Sequence, residues 1–353
     1  MVSDTHTEFK VENLSVCIPA HNEELTIGKT LEAILGQEFD HGSKPEIEVL
    51  VCANVCTDNT VGEVRRIQQK YPNEITLIEV AEKGKSNACN VLRKRALYDI
   101  VFFIDADTEL DRTALAVMSK ELQSSDDLIA VGGTNAAVMS GCSFMTRLSR
   151  PYAKNGILIR QNQDFIAGRC YGIRRARFEA VMEEFGFHDI PEHLINEDRW
   201  IHRLLDVAAS KHKGLSLESV IRGEGRYWTV CPDALAYFVP QDWREDSKLK
   251  ARSLHGRDQM SAYFPEYDEA RAGTRVPSSK TIIQKVPEKF AMLREMGGVE
   301  GFRYIVSELM KKLAVRRARR LYEWNKANSV EISAQNWIRS ETSRTRDEAG
   351  IRA

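Results

Sequence analysis

The stretch "DIVFFIDADTEL", residues 99 to 110, sets five consecutive apolar residues directly before Asp105 and Asp107. A short apolar run bounded by polar residues reads as a strand buried on both faces, as in a parallel sheet. The acids then fall at its carboxyl end. Side chains two apart on extended backbone point the same way, so Asp105 and Asp107 can converge on one ligand. A carboxylate pair there suits a hard divalent cation on a diphosphate, a phosphatase nucleophile with its acid/base partner, or a plain turn.

Upstream, three more apolar runs each end in a polar loop and lead into an amphipathic stretch. "LSVCIPA" (14 to 20) precedes a helix within 23 to 37, "IEVLVCA" (47 to 53) precedes "TVGEVRRIQQKY", and "ITLIEV" (75 to 80) precedes "SNACNVLRKRAL". Alternation of this kind predicts βαβ units on a mostly parallel sheet with helices on both faces, and such sheets bind ligands at the carboxyl edge. Further on, the pattern predicts a helix at 111 to 123, a strand at 128 to 138, a helix near 145 to 160 and a strand then helix over 169 to 185. A helix opening near 195 and strands at "SLESVIR" and "ALAYFV" follow. From 241 to about 279 the chain reads as a charged loop, and from Lys280 to Asn328 as helical. We therefore expect a domain over 1–275, with a mobile loop at 241–275, and a basic helical extension over 276–353.

Composition narrows the classes. Hydrophobic residues are 42% and charged residues 29%, as in a globular domain. The longest uncharged apolar runs fall far short of the roughly 20 residues of a membrane-spanning helix, and "MVSDTHTEFKVEN" lacks an apolar signal core. The expectation is a cytoplasmic protein. The seven cysteines form no C-x-x-C pair, which favours reduced thiols over a disulfide framework or a zinc site. Residues 276 to 353 hold 16 Lys and Arg against 9 Asp and Glu, leaving the first 275 at −8 within a net charge of −1. One basic helix on a chain of this charge does not suggest nucleic acid as a partner.

Each strand-end loop carries candidate residues that also have a plain structural reading. In "IPAHNEE", Pro19 fixes the backbone leaving the strand, and Ala20, Asn22 and Glu23 follow, an ordinary helix start as much as a site. "CANVCTDNT" offers Asn54 and Asp58, where capping is the simpler role. "EKGKSNACN" places Lys83 and Lys85 around a glycine at a helix N-terminus, a place that favours phosphate. Later come "AGRCYG", with Gly168, and "INEDRW", with Glu197 and Asp198.

Taken together and in this order, these motifs resemble the family 2 glycosyltransferases with the GT-A fold, a Rossmann-like sheet. The resemblance implies a metal-dependent, inverting transfer of one sugar from a nucleotide-diphosphate-sugar, UDP- or GDP-linked, to a hydroxyl acceptor such as a lipid-linked or cell-envelope glycan precursor. It implies donor contacts from Pro19, Ala20, Asn22, Glu23, Asn54, Asp58, Lys83, Lys85, Asp105, Ala106, Asp107, Gly168 and Glu197. Asp105 and Asp107 would hold Mg2+ or Mn2+, and Asp198 would be the catalytic base, since an inverting transfer needs one carboxylate to deprotonate the attacking hydroxyl. Ala53 and Asn54 stand where many members carry an acid pair, and the Q-x-x-R-W motif of processive members is absent, which favours a non-processive enzyme. Arg252 and Arg257 are candidates for the diphosphate and His255 for the metal, each from the segment read as a loop. The basic helix at 310 to 327, with its apolar and aromatic residues, could lie on the inner face of an anionic membrane or pack on the domain. The competing readings are an aspartate-nucleophile phosphatase built on "DADT" and a non-catalytic sugar-nucleotide binder.

Overall fold

The computed structural model describes residues 12–39, 44–140, 142–143, 146–147, 157–160, 164–240, 243–274 and 298–327. Strand β1 (Leu14–Ala20), buried at every position, pairs in parallel with β2 (Ile47–Asn54) on one side and β4 (Ile100–Ile104) on the other. Strand β3 (Ile75–Val80) extends the parallel set beyond β2. Helices α1 (Ile27–Leu35), α2 (Thr60–Gln68) and α3 (Lys85–Arg95) connect these strands, so the loops at 20–26, 54–59 and 81–84 gather at one edge beside Asp105.

Beyond β4 the sheet changes sense. Strand β8 (Cys170–Arg174) runs antiparallel between β4 and β6 (Ala130–Val138), and β9 (Trp228–Phe238) runs parallel to β6. The short β5 (Glu109–Leu110) pairs with β9, and β7 (Ile157–Ile159) with β6. Apolar residues line both faces, which is why β4 reads as an unbroken run. Phe102 packs with Val16, Ile18, Leu31 and Leu115, while Phe103 packs with Cys17, Tyr171, Phe178 and Trp200 on the opposite side. Burying one such ring contributes about 1.5–3 kcal/mol. Phe102 faces Gly172 in the β4–β8 register, and a Cβ on Gly172 would run into the Phe102 ring. Phe103 instead stacks on Tyr171 with ring centroids 5.1 Å apart.

The remaining helices are α4 (Ala114–Gln123), α5 (Arg175–Glu184), α6 (Glu197–Lys213), α7 (Leu217–Arg222), α8 (Trp243–Tyr263), α9 (Pro265–Gly273) and α10 (Gly298–Ala327). Three expectations are corrected here. "SLESVIR" is the helix α7 and not a strand: Ser216 caps it by accepting the Ser219 N–H, and Gly223 closes it in the left-handed region. The segment read as a mobile loop is the helix pair α8 and α9. Its buried stripe is built from Ser247, Ala251, Met260, Phe264 and Tyr267, and small or polar members hide an amphipathic period. Within 145 to 160, residues 157–159 form β7, so the expected helix does not extend through them. The expected boundary at 276 lies outside the described residues.

Helix α10 packs on α8. Its buried positions are Ser307, Ala314 and Ala318, small residues that permit close approach, and the Tyr322 hydroxyl donates to Asp258. Among the described residues no helix is long and apolar enough to cross a membrane.

Candidate active site

The loops at the carboxyl edge hold one another by side chain to backbone bonds. Asn22, at a positive φ of 57°, donates to the Thr57 hydroxyl at 3.0 Å and accepts the Thr57 N–H at 2.7 Å. Asp58 accepts the N–H of Glu24 at 3.2 Å and of Thr60 at 3.0 Å. Glu23 accepts from the Thr26 hydroxyl, and its own N–H donates to Thr60. Asn54 is fully buried: its amide donates to the Glu82 carbonyl at 2.8 Å and accepts the Gly84 N–H at 2.9 Å. His21, which sequence reasoning passed over, is bonded through Nδ1 to the Asn54 carbonyl at 2.7 Å. Pro19 and Ala20 end β1 opposite Cys52 and Ala53. Lys83 is exposed.

Lys85 opens α3 and stands between two acids. Its Nζ lies 2.7 Å from Asp105 Oδ1 and 2.6 Å from Glu197 Oε1. Burial alone would pull the ammonium down, but the two carboxylates outweigh it and hold its pKa well above the ordinary lysine value. Asp105 is raised from the ordinary carboxylate value, first by burial and further by the like charge of Asp107, with Lys85 acting against both. Asp107 pairs with Arg169 at 3.0 Å, and the Arg169 guanidinium lies 3.8 Å from the centroid of the Phe238 ring. Ala106 is buried between the acids, its carbonyl accepting from Thr30. Arg169 was legible only as the neighbour of Gly168 in "AGRCYG".

Asp198 is the second residue of α6. One carboxylate oxygen accepts the Gly168 N–H at 2.8 Å and the other the Arg199 N–H at 2.8 Å. A Cβ on Gly168 would stand 3.2 Å from Asp198 Oδ2 and 3.3 Å from Lys85 Nζ, closer than side chains usually pack. Behind the site, α6 is pinned by Asp206, fully buried, which accepts from Trp228 Nε1 and from the Tyr267 hydroxyl, each at 2.7 Å.

Helix α8 brings Arg252 in from the other side. It is mostly buried; burial lowers its pKa while the Glu197 charge raises it. The same helix separates the three residues that a loop could have brought together. Arg257 is exposed, and its charge acts on Asp268 and Tyr322. His255 lies against Tyr322 with ring centroids 4.6 Å apart. Among the described residues no three His, Cys, Asp or Glu side chains are grouped closely enough to hold a metal, so His255 does not join Asp105 and Asp107 in this structure. At 100° per residue, positions 252, 255 and 257 cannot share one direction.

Asp105 and Asp107 nevertheless suit a divalent cation. They are hard oxygen donors whose mutual repulsion such an ion would relieve, each is about a quarter exposed, and a diphosphate brings further oxygens.

The sheet, its loop cluster and the acids at its edge define a GT-A fold. Residues 15–183 match the model of Glycosyl transferase family 2, so this part of the chain is a domain of that family. It is 30% identical over 133 residues to the poly-beta-1,6-N-acetyl-D-glucosamine synthase of Staphylococcus epidermidis, covering 38% of this chain and 30% of that protein. It is 29% identical over 141 residues to the probable glycosyltransferase YdaM of Bacillus subtilis, covering 39% and 33%. The match thus spans about a third or less of these relatives. Among solved structures, the mannosyltransferase PcManGT from Pyrobaculum calidifontis in complex with GDP-Man and Mn2+ shares the fold with a TM-score of 0.50 and 19% identity, over 89% of this chain and 88% of that one.

Proposed function

We propose that the chain is an inverting, non-processive glycosyltransferase that moves one sugar from a UDP- or GDP-linked donor to a hydroxyl acceptor. The observation that carries this reading is the carboxylate of Asp198, fixed by two backbone N–H groups within one glycine of Lys85. In this reading Asp198 takes the proton of the acceptor hydroxyl as that oxygen attacks the anomeric carbon opposite the leaving diphosphate. Two N–H bonds orient the carboxylate in advance, so little reorganisation is needed at the moment of transfer. The loops around Asn22, Asn54 and Asp58 form the nucleotide pocket largely by positioning one another, and Arg252 supplies positive charge toward the diphosphate. Asp105 and Asp107 would hold Mg2+ or Mn2+, which when bound neutralises charge on the leaving group. Residues 1–275 would form the catalytic unit and 276–353 the extension, in which the exposed basic and apolar residues of α10 touch an anionic membrane carrying a lipid-linked acceptor.

Thermal stabilisation across a panel of nucleotide-sugars, with and without Mn2+, tests the donor, and a hydrolysis assay on the best ligand tests turnover. A Mn2+-dependent shift with one donor class supports the reading, and no shift with any donor overturns it. Phosphomonoester turnover that is lost in Asp105→Asn would favour the phosphatase instead.

A further inference from the structure

The cations nearest the acid pair are committed: Lys85 to Asp105 and Glu197, and Arg169 to Asp107. Two other guanidinium groups are not. Arg160, which follows β7, and Arg199, the third residue of α6, both approach the Phe165 ring, with 4.7 Å and 5.6 Å from guanidinium carbon to ring centroid. Among the described residues neither is paired with a carboxylate. The nearest acid in sequence, Asp164, is taken by Arg226 at 2.8 Å. Burial and the neighbouring charge of Arg199 lower the pKa of Arg160 from its ordinary value, so the like charges feel one another. Contact with an aromatic face offsets part of that repulsion, and an anion between the two forks would remove it. Two planar forks suit the oxygens of a phosphate better than a single ammonium would.

The position says which substrate would carry the anion. Phe165 precedes Gly168 by three residues, and the Gly168 N–H holds one oxygen of Asp198 while the Arg199 N–H holds the other. Along the chain, then, the pair is anchored on the two backbone groups that hold the base, Arg199 directly and the Phe165 ring through the three residues to Gly168. We infer that Arg160 and Arg199 form an anion subsite on the acceptor side of Asp198, which selects acceptors bearing a phosphate ester near the reacting hydroxyl. This rests on Asp198 being the base.

Isothermal titration with glycerol 3-phosphate, glycerol, and dioctanoyl phosphatidic acid below its micellar concentration tests the subsite. UDP or GDP with Mn2+ is present throughout to fill the donor pocket. Saturable binding of at least one phosphate ester and none of glycerol is expected, and the two esters distinguish a soluble from a lipid-borne phosphate. Binding should weaken roughly tenfold for each guanidinium removed in Arg160→Gln and Arg199→Gln, the scale of one charge-assisted hydrogen bond. Circular dichroism verifies the fold of both variants. Equal binding by wild type and both variants, or no binding of either ester, would overturn the subsite. Neither result bears on donor hydrolysis, which tests the glycosyltransferase reading separately.

Discussion

At Asp198 the carboxylate occupies the first turn of α6, where N–H groups lack helical partners and the helix dipole favours negative charge. That is also what an ordinary helix-start acid looks like, which is why "INEDRW" alone could not decide its role. If Asp198 is the base, Asp198→Asn lowers transfer by about 10²–10⁴ while donor affinity, read by titration calorimetry, stays within about twofold. A matching loss of donor binding would make it a binding residue instead. Gly168→Ala should lower turnover while leaving the melting temperature nearly unchanged, because its Cβ presses on Asp198 and Lys85 and not on the core. Lys85→Met leaves Glu197, 2% exposed, buried without its cation. Urea unfolding should show a loss of about 3–5 kcal/mol, partly recovered by Glu197→Gln in the same chain; an undiminished midpoint would mean the ion triad carries no stability.

At the scale of elements, α10 has two unlike sides. Ser307, Ala314 and Ala318 face α8, while Ile305, Leu309 and Leu313 are about half exposed on the opposite side among the exposed Lys312, Arg316 and Arg320. Basic residues flanking an apolar stripe are suited to an anionic bilayer. If α10 makes the membrane contact proposed above, the chain co-sediments with phosphatidylglycerol vesicles, and replacing Leu309 and Leu313 together by Glu abolishes this without changing helicity; no co-sedimentation of the wild type, or its retention in the variant, would exclude this face. Helix α8 was misread because of what it buries. A strand such as β4 announces itself because every position is apolar, whereas α8 buries serine, alanine and glycine, so its composition reads as solvated. The antiparallel insertion of β8 was equally hidden, since pairing direction leaves no local mark on "CYGIR". The loop motifs were legible because each directly follows a recognisable strand; which of their side chains bond to neighbouring loops depends on approach distances that sequence does not carry.

Across the whole molecule, α6 ties α9 to one face of the sheet, its Trp200, Leu204 and Leu205 sharing a core cluster with Tyr267. Its Arg203 pairs with Asp268 of α9 at 2.9 Å, and Ser261 donates to the same carboxylate. Burial would raise the Asp268 pKa, but the hydroxyl and the guanidinium outweigh it and hold the group below its ordinary value. A depressed carboxylate stabilises the fold above the unfolded pKa of about 3.9 and loses that contribution as pH falls through the folded value. Urea midpoints of wild type and Asp268→Asn should therefore differ at pH 7 and converge below about pH 4; a constant gap would show that the pair is not the source.

The pairing of Asp105 with Lys85 and of Asp107 with Arg169 carries one more consequence, for how the protein is handled. A cluster of acids that brings its own counter-charges can fold and rest without borrowing any from solution. Purified in a chelator, the chain should keep its melting temperature. On the metal-dependent reading proposed above, preparations that look sound by every stability assay would still differ in activity, and metal content would have to be measured directly and not inferred from a well-folded sample.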